Sequence, residues 1–380
     1  MATAKKKTER IGFGIIGTGG WANTHAVACK ANPHAELVGL ADIREGAAES
    51  FARAHSLNVP TFTDYRNLLA MDGLDAVIIA TPNNVHAPIS IAAAEAGKHI
   101  ICQKPMATTL ADAKAMVAAV EKAGVRGMIA YTKRFFKTSP FLYYILRNED
   151  LGRIYHVRAF YFQSWLSNPA TPVVWRLRRE MTGTGVLGDL GAHIIDLVQY
   201  LVGDDIVRVN AMMKTFVTER PSLTDAKKKE TCDVDDAVMF GADFKNGAMG
   251  VFQASRNATG HPDHWRIEIG AEKGAIIYDG KGSTFAELGI HADTSIQVNT
   301  STGLARYAGW VEIDVPSRWR YTTPFGKDEH QNQTNHFVEC IRSGQTPSPS
   351  FADGLKTERI IDAVVRSCRN GAAVDLDGTE

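Results

Sequence analysis

A doubly wound parallel α/β domain, followed by an α+β domain with a large, mostly antiparallel open sheet, is the fold this sequence predicts. Three observations predict it. Short apolar runs alternate with helical patterns over the first third, a glycine-rich turn leaves the first of those runs, and beyond residue 132 strand-like runs follow one another through tight turns. At 380 residues the chain exceeds the usual size of one domain, so two domains are expected, 1–132 and 133–380.

In the first part, Ile11–Gly17, Glu36–Asp42, Asp75–Ala80, His99–Cys102 and Gly127–Tyr131 read as strands. Helical patterns near Ala22–Ala31, Glu45–Ala54, Val85–Ala96 and Leu110–Ala123 separate them. Continuous apolar strands alternating with helices indicate a parallel sheet buried on both faces, with right-handed crossovers. In the second part Ile154–Trp165, Asp235–Phe244, Gly247–Ser255, Trp265–Gly270 and Ala275–Tyr278 are rich in β-branched and aromatic residues. Turns such as Lys245-Asn246-Gly247 join them, the signature of an antiparallel sheet. A helix around Ser139–Arg147 opens this part. Helices near Leu187–Leu201, Asn332–Arg342 and Gly354–Arg369 are expected to cover one face of the sheet. The other face would need a second subunit, so a homodimer or homotetramer through this sheet is expected. The charged stretch Glu219–Glu230 reads as an exposed loop.

Composition narrows the function classes. Apolar residues make up 44% and charged residues 22%, with 42 Lys plus Arg against 42 Asp plus Glu. That balance points neither to nucleic acid nor to a membrane surface, and no run approaches the roughly 20 apolar residues of a membrane helix. The five cysteines are scattered, with no paired metal-ligand spacing, so free thiols and a cytoplasmic location are expected, and no metal.

The glycine-rich turn carries the first chemistry. In Gly12-Phe-Gly-Ile-Ile-Gly17-Thr18-Gly19-Gly20-Trp21-Ala22, Gly17, Gly19 and Ala22 stand in the G-x-G-x-x-G/A register. Gly17 would permit the tight turn, Gly19 the approach of a pyrophosphate to the main chain, and Ala22 close packing of helix on strand. The amides of the helix start would then face the phosphates. A second strand ends Leu40-Ala41-Asp42, where a carboxylate can accept hydrogen bonds from an adenosine ribose. This is a dinucleotide-binding (Rossmann) pattern. Asp42 would repel a 2′-phosphate and favours NAD, whereas Arg44 two residues on keeps NADP open.

Further motifs follow. Ala80-Thr81-Pro82-Asn83-Asn-Val-His86 lies at the carboxyl end of a strand, where open α/β sheets bind ligands. Gln103-Lys104-Pro105 follows the next strand, and Gly185-Val-Leu-Gly-Asp189-Leu-Gly-Ala-His193-Ile-Ile-Asp196 carries three polar groups at i, i+4 and i+7. On one α-helix these share a face, beside an apolar stripe of Leu190, Ile194, Leu197, Val198 and Leu201. With Pro349-Ser-Phe-Ala-Asp-Gly354, these segments resemble the Gfo/Idh/MocA oxidoreductases, relatives of glucose–fructose oxidoreductase and inositol dehydrogenase, over essentially the whole chain.

The resemblance implies that Thr81, Pro82 and Asn83, with His86, Gln103 and Lys104, belong to the cofactor site. It implies that Lys104 lies between substrate and nicotinamide. It also gives His193 the acid/base role, with Lys104 and Asp189 holding the reacting hydroxyl and tuning the imidazole. Asp196 matches a substrate contact of the inositol branch, and His330 a position near the substrate. The chain departs from the family's Glu-Lys-Pro by having Gln103, which removes a negative neighbour of Lys104. The basic pair Lys133-Arg134 at the domain junction, Arg134 above all, with Trp165 and the Trp175-Arg176 pair, are further candidates for substrate contact. Oxidation of a secondary alcohol needs a base for the hydroxyl proton, and histidine suits that near neutrality.

The expected activity is therefore reversible, NAD(P)-dependent oxidation of a secondary alcohol of a sugar, cyclic polyol or glycoside to a ketone. Two alternatives stand beside it: an NAD-retaining enzyme that cleaves glycosides by transient oxidation and elimination, and a non-catalytic dinucleotide-binding regulator.

Overall fold

The computed structural model describes residues 10–136, 138–148, 151–225, 227–281, 293–300, 311–312 and 328–376. The first six strands are β1 (Ile11–Ile16), β2 (Ala35–Ala41), β3 (Thr61–Phe62), β4 (Ala76–Ile79), β5 (His99–Cys102) and β6 (Gly127–Ile129). They pair in parallel in the order β3-β2-β1-β4-β5-β6. Between them run α1 (Gly20–Ala31), α2 (Ala47–Ala54), α3 (Tyr65–Leu69), α4 (His86–Glu95) and α5 (Leu110–Ala123). β1 and β4 are buried along their whole length, which is why their apolar runs are continuous rather than alternating. The strand order reverses between β1 and β4, and this switch opens a crevice at the carboxyl ends of the strands.

Among the described residues the second sheet has nine strands. After α6 (Ser139–Asn148) come β7 (Ile154–Gln163), the short α7 (Arg179–Thr182), α8 (Ala192–Val202) and β8 (Ile206–Lys214). A hairpin of β9 (Glu219–Pro221) and β10 (Lys229–Thr231) precedes β11 (Ala237–Phe244), β12 (Met249–Ser255), β13 (Asp263–Ala271) and β14 (Gly274–Lys281). β15 (Asp293–Thr300), β16 (Val311–Glu312), α9 (Glu329–Ser343), α10 (Phe351–Asn370) and β17 (Val374–Asp375) complete the described elements. The sheet runs β16-β15-β14-β13-β7-β12-β11-β8-β17, antiparallel except for the β7–β12 pair. Burial alternates along β7 and β11, so one face packs on the core and one is open. Val157, Ala159 and Tyr161 point into the core with Trp265 and Ile267. Met212, Met239, Met249 and Val251 are exposed.

Two expectations need correction, and one strand was not foreseen. The stretch expected as a loop at Glu219–Glu230 holds the β9–β10 hairpin. Arg220 within it is fully buried and donates to the carbonyls of Asn168 and Leu166 at 2.8 and 2.7 Å. Its charged sequence concealed this because one arginine ties the hairpin down from inside. β8 was not foreseen either, although its burial partly alternates. α9 does not cover the second sheet. Its Phe337 and Val338 join the core of the first domain with Phe13, Ala22 and Ala26, and Asn32 donates to Asn335 at 2.6 Å. Arg179–Val202 passes a length-and-composition test for a membrane span, yet 78% of its most apolar 18-residue window is buried inside the protein, as in a core helix.

Candidate active site

A cleft of about 990 Å³ runs along the carboxyl edge of the first sheet. At one end lie Asp42, Arg44 and Arg66; at the other, Lys104, Asp189 and Arg256. Gly17, between β1 and α1, has φ +87°, and a Cβ there would come within 2.8 Å of the Ala80 carbonyl. Only glycine fits. Cβ atoms on Gly19 and Gly20 would meet nothing within 4 Å, so that side of the turn is open to the cleft. Gly19 caps α1 without a side-chain hydrogen bond, leaving the first amides of a twelve-residue helix for an anionic ligand. Ala22 is fully buried, where the helix meets the strand. Trp21 is exposed, and its ring lies 5.8 Å from that of His330 at the start of α9.

Asp42 closes this end. Its Oδ2 accepts from the Thr18 amide (2.8 Å) and hydroxyl (2.7 Å), and Arg44 donates to both oxygens at 3.0 Å. Burial alone would raise the carboxyl, but the hydrogen bonds from Arg44 and Thr18 outweigh it and hold it well below the usual range. The residues thus fit a dinucleotide: open glycines, a helix start with unclaimed amides, and an ionised carboxylate one strand away.

At the other end, Lys104 donates to Oδ1 of Asp189 at 2.8 Å and to its carbonyl at 2.6 Å. Asp189 Oδ2 faces Arg256 at 3.7 Å. Burial opposes ionisation of Asp189, but Lys104, Arg256 and Arg176 hold its carboxyl below the ordinary value. Leu187–Gly191 forms a π turn ahead of α8. The single α-helix expected over Leu187–Leu201 is therefore interrupted at Asp189, as happens often at functional sites. His193, in the first turn of α8, is buried. Its ring lies 6.3 Å from that of Tyr131 and 6.1 Å from that of Tyr161. Burial, then the ammonium groups of Lys104 and Lys133, push the imidazole well below its usual value, with Asp189 opposing them. These surroundings favour the neutral form of His193.

Residues 11–131 match an oxidoreductase family with an NAD-binding Rossmann fold, and residues 142–277 match the GFO/IDH/MocA C-terminal domain. The chain is 32% identical to the levoglucosan dehydrogenase of Pseudarthrobacter phenanthrenivorans, over 97% of this chain and 98% of that one. It is 28% identical to the inositol 2-dehydrogenase of Rhizobium meliloti, over 94% and 96%. Among solved structures, an oxidoreductase domain protein from Kribbella flavida superposes with a TM-score of 0.88 at 34% identity, covering 97% of this chain and 100% of that one. Levoglucosan dehydrogenase in complex with NADH gives 0.87 at 32%, covering 97% and 99%. The chain belongs to the Gfo/Idh/MocA family.

As a Gfo/Idh/MocA protein it is an NAD(P)-dependent oxidoreductase. Thr81, Pro82, Asn83 and Gln103 all line the cleft, as do Trp175 and Arg176, whose guanidinium lies 4.4 Å from the Trp175 ring centre. Gln103 Nε2 donates to Nε2 of His25 at 2.8 Å. Burial, then the charge of His330, depress the His25 imidazole to about 3.

Several candidates are placed elsewhere. His86 is fully buried with its ring nitrogens 2.9 and 3.1 Å from the carbonyls of Pro105 and Thr81. It braces two cleft loops from behind instead of touching the cleft. Arg134 and Asp196 bind each other bidentately at 2.8 and 2.6 Å, and Arg134 also donates to Ser348. Burial pushes the Asp196 carboxyl up to about 6, against the pull of Arg134. Their expected contact with substrate gives way to a buried pin between α8 and the turn after β6. Trp165 packs against a small cluster of Leu166, Val173 and Leu177, beneath Arg256 at 5.7 Å.

Sequence reasoning missed Arg256, which follows β12 with no motif around it, and the histidine partner of Gln103. It also missed Asp235, which accepts from the amides of Gly185 and Leu187 at 2.6 and 2.8 Å and so anchors the π turn.

Proposed function

We propose that this oxidoreductase reversibly oxidises a secondary alcohol of a sugar or cyclic polyol to a ketone. The observation that carries the reading is the Lys104–Asp189 pair at one end of a cleft whose other end is Asp42. Bound along the cleft, NAD would supply the hydride acceptor. An ammonium has three N–H donors; two of Lys104's are taken by Asp189, and the third is left for the substrate oxygen. Held there, that oxygen loses its proton more easily, because a positive charge stabilises the forming alkoxide. His193, kept neutral by its surroundings, is ready to take the proton. Asp189 keeps Lys104 in place, and Asp42 would accept from a ribose once the exposed Arg44 side chain yields its place. The likeness to dehydrogenases of levoglucosan and inositol supports a neutral, polyhydroxylated substrate.

The test is a panel of inositols, aldoses, anhydrosugars and glycosides assayed with NAD and NADP for NADH at 340 nm. Steady NADH formation with one of them is expected. Product released without net NADH would replace this reading with transient oxidation and elimination; inertness to the whole panel would leave a dinucleotide-binding regulator.

The exposed Met212, Met239, Met249 and Val251 on the open face of the second sheet support a homodimer or homotetramer joined there. The five free cysteines accord with work in the cytoplasm.

A further inference from the structure

Lys133, in the turn after β6, is 6% exposed. Its Nζ lies 4.3 Å from the ring centre of Tyr161, 4.8 Å from that of Trp265 and 5.5 Å from that of Phe136. Among the described residues no hydrogen bond or ion pair holds this Nζ. Aromatic faces attract a cation but accept none of its N–H bonds at full strength, and a buried ammonium without an acceptor is costly. The Nζ is not among the fully enclosed polar atoms without a partner, so its N–H donors can be reached by an acceptor from outside the protein.

Asp263 stands two residues before Trp265 on β13, and so on the same face of the sheet as the two rings, Trp265 and Tyr161, that Lys133 covers. Asp263 at the start of β13 and Glu329 at the start of α9 favour the charged amine, whereas Lys104 opposes it; burial pushes it down to about 8. His193 on α8 approaches the same Tyr161 ring at 6.1 Å. The two are no farther apart than their summed distances to the one Tyr161 ring that both approach. Asp263 is held in place by Gln163, which donates to its Oδ1 at 2.9 Å. Lys133 thus offers a donor, and Asp263 an acceptor that it does not itself contact. A hydroxyl group can serve both at once, accepting from the ammonium and donating to the carboxylate.

We infer that Lys133 and Asp263 together bind a substrate hydroxyl neighbouring the one that reacts, so that Lys133 determines specificity for vicinal diols. The inference rests on the sugar or polyol reading above. An isolated alcohol would leave Lys133 unpaired, and a site left with an unpaired buried donor discriminates strongly. A carboxylate or phosphate on the substrate would pair with Lys133 but be repelled by Asp263 and Glu329.

The experiment is calorimetric titration of the NADH-loaded protein, wild type and Lys133→Met, with a polyol from the panel and with its analogue lacking the adjacent hydroxyl. Loss of one hydrogen bond to a charged group should weaken binding about ten- to hundredfold. The deoxy analogue should lose that factor with the wild type, and nothing further with K133M. Equal binding of the two ligands by the wild type, or losses that multiply, would overturn the inference. So would tighter binding of an anionic sugar than of the polyol. If K133M does not fold, Lys133→Arg serves: it should weaken the polyol more than the deoxy analogue, and equal weakening counts against. Absence of turnover with every panel member would sink the dehydrogenase reading while leaving these binding comparisons in force.

Discussion

Asp189 meets Lys104 twice, through Oδ1 at 2.8 Å and through its own carbonyl at 2.6 Å. The carboxylate therefore fixes the position of the amine while balancing its charge and that of Arg256. Asp189→Asn keeps the shape and removes the charge. Because the pair lines the cleft and is only partly buried, the loss should show chiefly in turnover, which should fall about 100-fold or more. The carboxyl is depressed in the folded protein, so its contribution is present above the unfolded value near 3.9 and is lost as pH falls below it. Melting temperatures between pH 7 and 3 should show an acid loss in the wild type that is reduced in D189N. Superimposable acid profiles would contradict this.

His193→Ala should lower kcat by about 10²–10⁴-fold while NADH binding, followed by fluorescence, stays near the wild-type value. Because burial and two ammonium groups depress the imidazole, the acid limb of kcat/KM should lie well below pH 6.5. A limb at or above that value would remove His193 as the titrating base.

Gln103 donates to His25 at 2.8 Å, an arrangement that suits a neutral imidazole. His25 titrates near 3 when folded and near 6.5 when unfolded. Its depressed value means that stability is full above 6.5 and falls as pH drops toward 3, by about 2 kcal/mol at pH 5. Gln103→Glu would place a carboxylate on the ring, favour the protonated form and raise the folded value. The fall in melting temperature between pH 7 and 5 should then be smaller in Q103E than in the wild type. An unchanged slope would show that residue 103 does not govern His25.

Asp42→Ser should weaken NADH binding roughly tenfold and improve NADPH binding, since it removes the charge that repels a 2′-phosphate and frees Arg44 to meet one. Parallel fluorescence titrations give both constants. A preference for NAD that survives the substitution would place the discrimination elsewhere.

Met249 is 67% exposed on the open sheet face. Met249→Glu should dissociate the proposed oligomer, read as sedimentation of a monomer, with NADH binding intact. A wild-type protein that already sediments as a monomer would dispose of that interface.

What the sequence made legible was local. The G-x-G-x-x-A register, Asp42 and the motif around Lys104 place backbone and side chain within a few residues, so a short pattern carries them. His86 shows the limit: it belongs to a cleft motif, yet its ring turns inward to two carbonyls. Asp189, His193 and Asp196 were phased on an ideal helix, which the π turn at Leu187–Gly191 interrupts. Arg256 follows β12, remote in the chain from Asp189, and nothing in its neighbouring residues tells that folding carries it to that carboxylate.

Residues 337 and 338 help complete the core that begins at Phe13. A ribosome thus releases the first six strands roughly 200 residues before that core can close, although domains commonly fold as units during synthesis. Until then Phe13, Ala22 and Ala26 lack their cover, and a nascent chain halted near residue 132 would present an adhesive surface to chaperones. The first domain thus borrows its last cover from the far end of the chain.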